Sequence, residues 1–510
     1  MIIETSPLPA SPPGTFSGHE TMTLRFACGG TPLPRLSLLI MLLGGCAAAG
    51  AMPPSRSPAT AADGFLADWM GHVSTVIGSQ TLLDLSLPGT HDSMTFDLST
   101  TFSDGANDLP PVVSWVLHEF RDLAPGPFVR NQSKTQGLNM TEQLQSGVRF
   151  MDFRIMFSAP PNGSASAAHD WFCLHMMESN NRALEYLTEA RRFMDTHPGE
   201  LLVLWLSRHG SACLSGQGQY PDVTAAQKRA FWAQIETLFD GMLLDSRTQA
   251  PNVTTYQEMV ATGRRVVIYA ADYAAFTGNS SLAIDSCLID NQLGSDMTDE
   301  PRNLPSLLAA FRSANATKMA DKRQNRFYLK SLAGGPPSTQ IAYAAEAHFL
   351  PPARQAAEKK CAALFHIPGM DSWCPMTLQA AAQLENYYNQ IALDAVITQG
   401  LHLPNAIYIN AVDLGGTIRT GTAVFGVDAE WLHPAPVSDD HATTGFAYVD
   451  TFILYNVRRI CQASSPAPVA CASLIATLEK RRTAYPLLTW ADPTHGRLVG
   501  WPANSTAAIA

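Results

Sequence analysis

Several common signatures of function are absent from this chain of 510 residues. Only 15% of its residues are charged, its net charge is −10 and it has no run rich in lysine and arginine, which argues against general nucleic-acid binding. It has no Cys-x-x-Cys pair, no His-Glu-x-x-His motif and no Gly-x-Ser-x-Gly motif. These absences disfavour a structural zinc site, a zinc hydrolase and a serine hydrolase of the nucleophile-elbow type.

The N-terminal region has the features of a targeting segment. Arg35 precedes an apolar run that is too short to span a bilayer and is followed by small residues, as in a secretory signal. The alternative is a buried helix. "LGGC" (43–46) also resembles a bacterial lipoprotein box, with Cys46 as the lipidated residue. We therefore expect a secreted or extracellular protein, membrane-associated through Cys46 if its source is bacterial.

Glycosylation sequons and cysteines are both compatible with secretion. The Asn-x-Ser/Thr sequons begin at Asn131, Asn139, Asn162, Asn252, Asn279, Asn315 and Asn504, and their number fits a eukaryotic secretory glycoprotein. Cys361 with Cys374 and Cys461 with Cys471 are close enough in sequence to form local disulfides in an oxidising compartment. Connectivity itself cannot be derived from sequence.

One short stretch, "LDLSLPGTHDS" (83–93), places polar residues after an apolar alternation. The period-2 pattern over 83–87 predicts a strand, and Pro88-Gly89 is expected to end it. His91 and Asp92 then lie at the carboxyl end of a strand, where α/β folds usually place their chemistry.

Strand-like and helix-like segments alternate along the rest of the chain. With 46% hydrophobic residues the chain can bury a large core, and strand–helix–strand order predicts a parallel sheet. At least six such units favour a TIM-type (β/α) barrel, distorted or not, over an open doubly wound sheet. We expect a targeting segment (1–51), a linker (52–64), a barrel (65–460) and a C-terminal extension (461–510).

Ionisable residues recur at or near the ends of the predicted strands. They are His91 and Asp92, Asp152 and Arg154, His175, Arg208 and His209, and Asp413. A barrel brings such positions to one mouth, where two imidazoles can act as base and acid and a guanidinium can bind a phosphoryl group. The set predicts metal-independent cleavage of a phosphodiester by an internal hydroxyl.

"LPGTHDS" together with "GVRFMDFRI" (147–155) resembles the phosphatidylinositol-specific phospholipase C (PI-PLC) X-domain-like family, a TIM-barrel phosphodiesterase superfamily. The resemblance extends over roughly residues 65–460. It implies His91 as general base with Asp92 beside it, Arg154 on the phosphate and His175 as general acid. The carboxylate that orients the general base best matches Asp413, with Asp450 as the rival.

This chain departs from the family pattern at three places. An insertion, roughly 98–140, separates His91 from Arg154. Arg154 stands where the calcium-dependent branch has acidic residues, so we expect no calcium and no other cofactor. The lysine that helps bind inositol in bacterial relatives has no obvious counterpart except Arg208, which leaves inositol specificity open.

Two alternatives to a PI-PLC-like phosphodiesterase remain at this point. One is a catalytically silent secreted binding or adhesion protein on the same barrel. The other is a metal-dependent glycerophosphodiesterase or a sphingomyelinase D-like enzyme. The expected partner is a phospholipid or other phosphodiester, with no nucleic acid. Peripheral membrane contact through an apolar helix at 112–117 competes with simple packing of that helix on the barrel.

Overall fold

A curled parallel β-sheet surrounded by helices forms the centre of the fold. The computed structural model describes residues 64–102, 111–123, 125–161, 167–207, 223–292, 300–333, 338–350, 354–365, 378–412, 446–464 and 469–484. Its strands are β1 Leu87–Thr90, β2 Leu98–Phe102, β3 Phe150–Ser158, β4 Asp170–His175, β5 Met177–Arg182, β6 Leu202–Ser207, β7 Val266–Ala270, β8 Ile284–Asp285, β9 Ile289–Gln292, β10 Phe327–Ser331 and β11 Ala406–Ile409.

Helices fill the connections between these strands. They are α1 Trp69–His72, α2 Ser74–Ile77, α3 Pro111–Glu119, α4 Gly126–Ser133, α5 Met140–Gln145, α6 Ala183–Thr196, α7 Ala225–Leu238, α8 Tyr256–Thr262, α9 Tyr273–Thr277, α10 Glu300–Arg323, α11 Ser338–Phe349, α12 Arg354–Phe365, α13 Leu378–Gln399, α14 Phe446–Ala463 and α15 Cys471–Ala484. None of these described helices has the length and apolarity that crossing a membrane requires.

The parallel strands follow one another around the sheet in chain order: β1, β3, β6, β7, β8, and then β9, β10 and β11. Strand β1 pairs with β3 on one side and with β11 on the other, so the last strand returns to the first. Among the described residues no ladder joins β8 to β9. The predicted TIM-type α/β barrel is thus confirmed in its distorted form, with a sheet that is not closed.

The first strand is displaced from its predicted position. Residues Leu82–Asp84 form a 3-10 turn, because the Thr81 side chain and the Asp84 carboxylate close a capping box at its start. Strand β1 begins only at Leu87 and runs through Pro88, where the predicted strand ended. Proline is tolerated there because pairing of β1 with β3 begins one residue later. The prediction of the strand end was therefore wrong, although His91 still follows the strand.

His175 lies at the end of a strand, β4, as predicted, but β4 does not belong to the parallel series. Strand β3 pairs with its parallel neighbours up to Arg154, and its last residues pair with β4 in antiparallel orientation. Strands β4, β5 and β2 continue this antiparallel ribbon. The ribbon turns back at Met176 (φ 60°), which leaves His175 at its bend.

The insertion contributes β2, α3 and α4 to a small apolar cluster beside the ribbon. Val113 and Val116 of α3 are buried in this cluster, which includes Ile341 of α11. Trp115, on the opposite side of α3, remains 37% exposed. The packed-helix alternative thus accounts for Val113 and Val116, and it leaves Trp115 at the surface.

Helix α14 runs past the predicted domain boundary at residue 460, and α15 packs against it. The Cys461–Cys471 disulfide joins the two helices, as the sequence predicted. Cys287 and Cys361 each form a disulfide as well. Cys374, the predicted partner of Cys361, lies outside the described residues. Residues 471–484 therefore belong with the barrel rather than with a separate extension.

Candidate active site

Four of the predicted site residues lie together at the carboxyl end of the barrel. His91 and Asp92 follow β1, Arg154 lies on β3, and His175 reaches the same place from the bend of the antiparallel ribbon. The His91 and His175 rings are 6.3 Å apart between centroids. Their side chains are 15% and 19% exposed, so both are accessible to a ligand at this mouth.

Local backbone constraints hold the segment after β1. A side chain at Gly89 would approach the Ile407 carbonyl oxygen to 2.7 Å, so only glycine lets β1 fit between its neighbours. Asp92 adopts a left-handed backbone (φ 44°), which is strained for a residue other than glycine. The Gln136 side-chain amide donates to the carbonyl oxygens of His91 (2.9 Å) and Ile409 (2.8 Å). These bonds tie the ends of β1 and β11 together.

Arg154 is the centre of charge in the site. Its Nε forms ion-pair contacts with Asp92 Oδ1 and with Asp152 Oδ2, the latter at 3.1 Å. Its Nη2 lies 2.8 Å from His91 Nε2. Both carboxylates are fully buried, and Ser207 Oγ donates to Asp152 Oδ1 at 3.3 Å. The guanidinium is thus fixed beside both histidine-facing carboxylates while staying 13% exposed.

His91 is held from three directions. Its Nδ1 lies 2.8 Å from Asn410 Oδ1, its Nε2 faces Arg154, and its ring stacks on Tyr408 with 5.1 Å between centroids. Burial lowers the pKa of His91 below its usual value; Asp92 acts in the opposite direction and the Arg154 charge reinforces the decrease. The neutral imidazole is the form that such a site favours.

His175 has different partners. Its Nδ1 lies 2.6 Å from the Ser133 carbonyl oxygen, which can only accept, so Nδ1 donates. Its Nε2 faces the Asp92 carboxylate at 3.5 Å. The same Asp92 oxygen lies 3.5 Å from Nε2 of both histidines. The two imidazoles differ in their other contacts, because His91 also faces the Asn410 amide and the Arg154 guanidinium, whereas His175 donates to a backbone carbonyl.

Of the other predicted site residues, the structure describes only Asp450. Asp413 and Arg208 lie outside the described residues, so their predicted roles stay predictions. Asp450, the rival for orienting His91, lies on α14, as its helical pattern indicated, and pairs with Arg481 at 3.1 Å. The side chain at His91 Nδ1 belongs instead to Asn410, which directly follows β11.

Sequence reasoning missed two contributors to the site. Asp152 was noted as a strand residue without a role, although its spacing of two from Arg154 puts both on one face of β3. Asn410 was passed over in favour of a carboxylate three residues later. Its position directly after a buried strand was the signal that could have identified it.

Two polar aromatic side chains continue from Asp152 across the neighbouring strands. Strand register places Trp205 beside Asp152 and Tyr269 beside Trp205. The Trp205 Nε1 and the Tyr269 hydroxyl are buried without a hydrogen-bond partner among the described residues. Each such group costs about 1–3 kcal/mol unless water or a ligand satisfies it. This pair of side chains therefore suits hydroxyl-bearing molecules or water.

Three groups in the site could in principle ligate a metal ion. Ligand atoms of His91, Asp92 and Asp152 lie within 4.8 Å of one another. The Arg154 guanidinium contacts both carboxylates, so a positive charge already occupies the position that a divalent cation would need. The charges of this set do not fit calcium.

Part of the chain is similar to known proteins. The PI-PLC X family model matches residues 126–299. The mouse PI-PLC X domain-containing protein 1 is 30% identical over 219 residues, which cover 42% of this chain and 56% of that protein. The human protein of the same name is 27% identical over 215 residues, covering 42% and 60%. The matches thus span less than two thirds of these relatives.

Solved structures with a similar fold include a phosphatidylinositol-specific phospholipase C of Staphylococcus aureus. It is 14% identical, with a TM-score of 0.42, and the match covers 70% of this chain and 93% of that one. The corresponding enzyme of Listeria monocytogenes is also 14% identical, with a TM-score of 0.37 and coverages of 68% and 94%. The family-model match and the curated relatives show that part of the chain, residues 126–299 in the family match, is similar to the PI-PLC X domain.

Proposed function

We propose that this protein is a secreted phosphodiesterase similar to phospholipase C, which cleaves its substrate by metal-independent general acid–base catalysis. The observation that carries the proposal is the unlike environment of two histidines on either side of Asp92 and Arg154. Burial and the Arg154 charge favour a neutral His91, which suits a general base, and His175 supplies the second imidazole, which can serve as the general acid. A guanidinium between them can bind phosphoryl oxygens.

The proposed reaction begins at a substrate hydroxyl next to the phosphodiester. His91 Nε2 takes the hydroxyl proton, and the oxygen attacks phosphorus. The bond from phosphorus to the departing alcohol breaks, and His175 Nε2 supplies the proton that this alcohol needs. The products are a cyclic phosphodiester and a free alcohol, and attack by water with the roles reversed would open the ring.

Arg154 has two states in this scheme. Without substrate its Nη2 donates to His91 Nε2, the atom that must accept the proton. A phosphate oxygen offers a stronger, charge-assisted acceptor, so substrate binding redirects the guanidinium and frees Nε2. The same charge then stabilises the phosphoryl oxygens in the transition state.

The substrate carries hydroxyl groups and a lipid or other apolar alcohol. Trp205 and Tyr269 offer unpartnered polar groups on the strands next to Asp152, which supports a hydroxylated headgroup. The family's named relatives support a phosphoinositide as the first substrate to try. Arg208 remains a candidate contact to the headgroup.

A turnover assay in excess chelator tests this function against its alternatives. Purified protein is incubated with phosphatidylinositol and with other phosphodiesters, and soluble phosphate esters are measured. Cleavage that survives the chelator supports the proposal, whereas cleavage lost in chelator and restored by a divalent cation supports a glycerophosphodiesterase or a sphingomyelinase D-like enzyme. A protein that cleaves nothing in any buffer but binds vesicles or headgroups is a binding or adhesion protein.

Secretion is part of the proposal and is supported by different observations. The Cys461–Cys471 disulfide fits an oxidising compartment, and the sequon residues Asn279 and Asn315 are exposed. Intact-mass measurement of protein collected from medium, before and after glycosidase, tests it. A mature chain that starts near residues 46–51 and loses mass supports secretion, and a lipid on Cys46 supports a bacterial anchor instead. Protein retained in the cell with an unprocessed N-terminus contradicts secretion.

A further inference from the structure

We propose that Asn410, through its side-chain amide oxygen, is the positioning residue of His91. The distance from His91 Nδ1 to Asn410 Oδ1 is 2.8 Å, and Asn410 is fully buried. The role that a carboxylate would have had here thus belongs to an uncharged group. The catalytic meaning of this bond rests on the proposed function, whereas the bond itself does not.

The hydrogen-bond network determines which atoms face each other. Arg154 can only donate, so His91 Nε2, 2.8 Å from its Nη2, must accept. In a neutral imidazole the proton then sits on Nδ1, which needs an acceptor. Asn410 supplies it by turning its oxygen, rather than its NH2 group, toward the ring. This arrangement leaves the lone pair on the nitrogen that faces the substrate side of the site.

The peptide that carries Asn410 is itself fixed. The Asn386 side chain of α13 donates to the carbonyl oxygens of Asn410 (2.9 Å) and Ala411 (3.1 Å). Ala411 has a left-handed backbone (φ 47°), and its N–H donates to the Thr135 carbonyl oxygen at 2.6 Å. Three hydrogen bonds thus hold the Asn410–Ala411 segment, two of them on the strained Ala411, so Asn410 keeps its direction.

An amide orients the ring without adding charge. The charged groups that face His91 are Asp92 at 3.5 Å, Asp152 at 4.0 Å and Arg154, all on the Nε2 side, with His175 across the site and Tyr408 stacked beneath. A carboxylate at Nδ1 would add a negative charge on the other side and raise the pKa of His91. Asn410 thus holds the tautomer without adding a charge that would favour protonation of the base.

Nitrogen-15 NMR of the His91 ring tests the positioning role without any substrate. In the wild type we expect the neutral ring to carry its proton on Nδ1. Asn410→Leu has similar volume but no acceptor, and it should give a mixture of tautomers. Asn410→Asp restores an acceptor, so it should keep the Nδ1–H tautomer and raise the pKa of His91.

Turnover provides the second readout, with a predicted difference between the two variants. Asn410→Leu should lower kcat about 10²-fold, the usual cost of a misplaced catalytic group. Asn410→Asp should recover most of kcat while moving the acid limb of the pH profile to higher pH. A purely structural role would move neither the tautomer nor the limb.

Two further variants serve as controls. Asn389→Ala removes an α13 amide that contacts the Leu332 carbonyl and Asn386 but not His91, and it should preserve the tautomer. Asp413→Asn should also preserve it. If Asp413→Asn disturbs the tautomer and Asn410→Leu does not, the assignment to Asn410 is wrong. If Asn410→Leu does not fold, an unshifted pKa of His91 in Asn410→Asp overturns the proposal instead.

The design separates this inference from the proposed function. A wild-type protein with the Nδ1–H tautomer and no phosphodiesterase activity would refute the function and keep the positioning role. An active wild type whose His91 tautomer is the same in both Asn410 variants would support the function and refute the positioning role.

Discussion

Two buried arginines five positions apart serve opposite ends of the barrel. Arg149 precedes β3 at the amino end, and its guanidinium bonds to Glu200 and to the carbonyl oxygens of four residues, Leu66, Ala67, Leu144 and Val148. Arg154, on β3 at the carboxyl end, contacts two carboxylates and an imidazole and is 13% exposed. Every N–H donor of Arg149 has a fixed partner. One N–H donor of Arg154 is bonded instead to His91, a group that titrates.

The difference indicates how one strand separates stability from chemistry. A buried ion pair whose hydrogen bonds are all satisfied is costly to break, because removing one partner leaves the other charge buried and without water. A guanidinium that donates a hydrogen bond to a histidine nitrogen can donate it instead to a stronger acceptor. Barrels generally keep stability at the amino end and chemistry at the carboxyl end, and these arginines follow that division.

Removing the general base should give the largest effect on activity. We expect His91→Ala to lower turnover by about 10²–10⁴-fold, the usual contribution of general acid–base catalysis. The free energy of unfolding should fall less than in Glu200→Gln, although the variant removes the stack on Tyr408 and the bond to Asn410. The matched control is His197→Ala, which removes a histidine paired with Asp68 away from the site and should leave turnover unchanged. An equal loss of turnover in both variants would contradict the assignment of chemistry to the carboxyl end of the barrel.

Breaking the amino-end pair should give the largest effect on stability. Glu200→Gln leaves the Arg149 charge buried with an uncharged partner, so we expect the free energy of unfolding to fall by about 3–5 kcal/mol. Turnover per folded molecule should stay near that of the wild type. Denaturant unfolding and an assay corrected for the folded fraction measure the two quantities. A stable but inactive Glu200→Gln would reverse the assignment of the two ends.

The pKa of His91 predicts a smaller, pH-dependent effect. Because this pKa is lowered from 6.5 in the folded protein, the unfolded chain binds the proton first as pH falls. The free energy of unfolding should therefore decrease below pH 6.5, by at most about 1.4 kcal/mol per pH unit from this group. Unfolding at several pH values should show a shallower dependence in His91→Ala, and identical slopes would contradict the lowered pKa.

The smallest expected effect concerns Trp115, near the ribbon that carries His175. We expect Trp115→Ala to weaken binding to phospholipid vesicles, because a partly exposed tryptophan suits a lipid interface. Cleavage of a soluble substrate should not change. Val113→Ala is the contrasting variant, since Val113 is buried and its loss should lower stability instead. Unchanged vesicle sedimentation would restrict Trp115 to a packing role.

Local patterns in the sequence were sufficient for the barrel and for four site residues. The alternation of strand-like and helix-like segments predicted the parallel sheet, since strand–helix–strand order favours parallel pairing. His91, Asp92, Arg154 and His175 were found because a barrel gathers strand ends. The ribbon was missed because an antiparallel strand and a parallel strand have the same local pattern.

Contacts between distant segments were beyond the sequence pattern. Asn410 lies 319 positions from His91, and no local rule favours an amide over the carboxylate that the family resemblance suggested. The shift of the first strand arose from a side-chain cap at Thr81, which competes with the period-2 pattern. Both depend on bonds whose partners only the folded chain brings together.

Phosphorus NMR of the reaction products tests the central claim most directly. Wild-type protein and His91→Ala are incubated with phosphatidylinositol vesicles in excess chelator, and the soluble fraction is recorded over time. The account predicts a cyclic phosphodiester signal that appears with the wild type and is lost with His91→Ala. A wild type that forms no phosphorus product, or one whose product forms equally fast with His91→Ala, would contradict it.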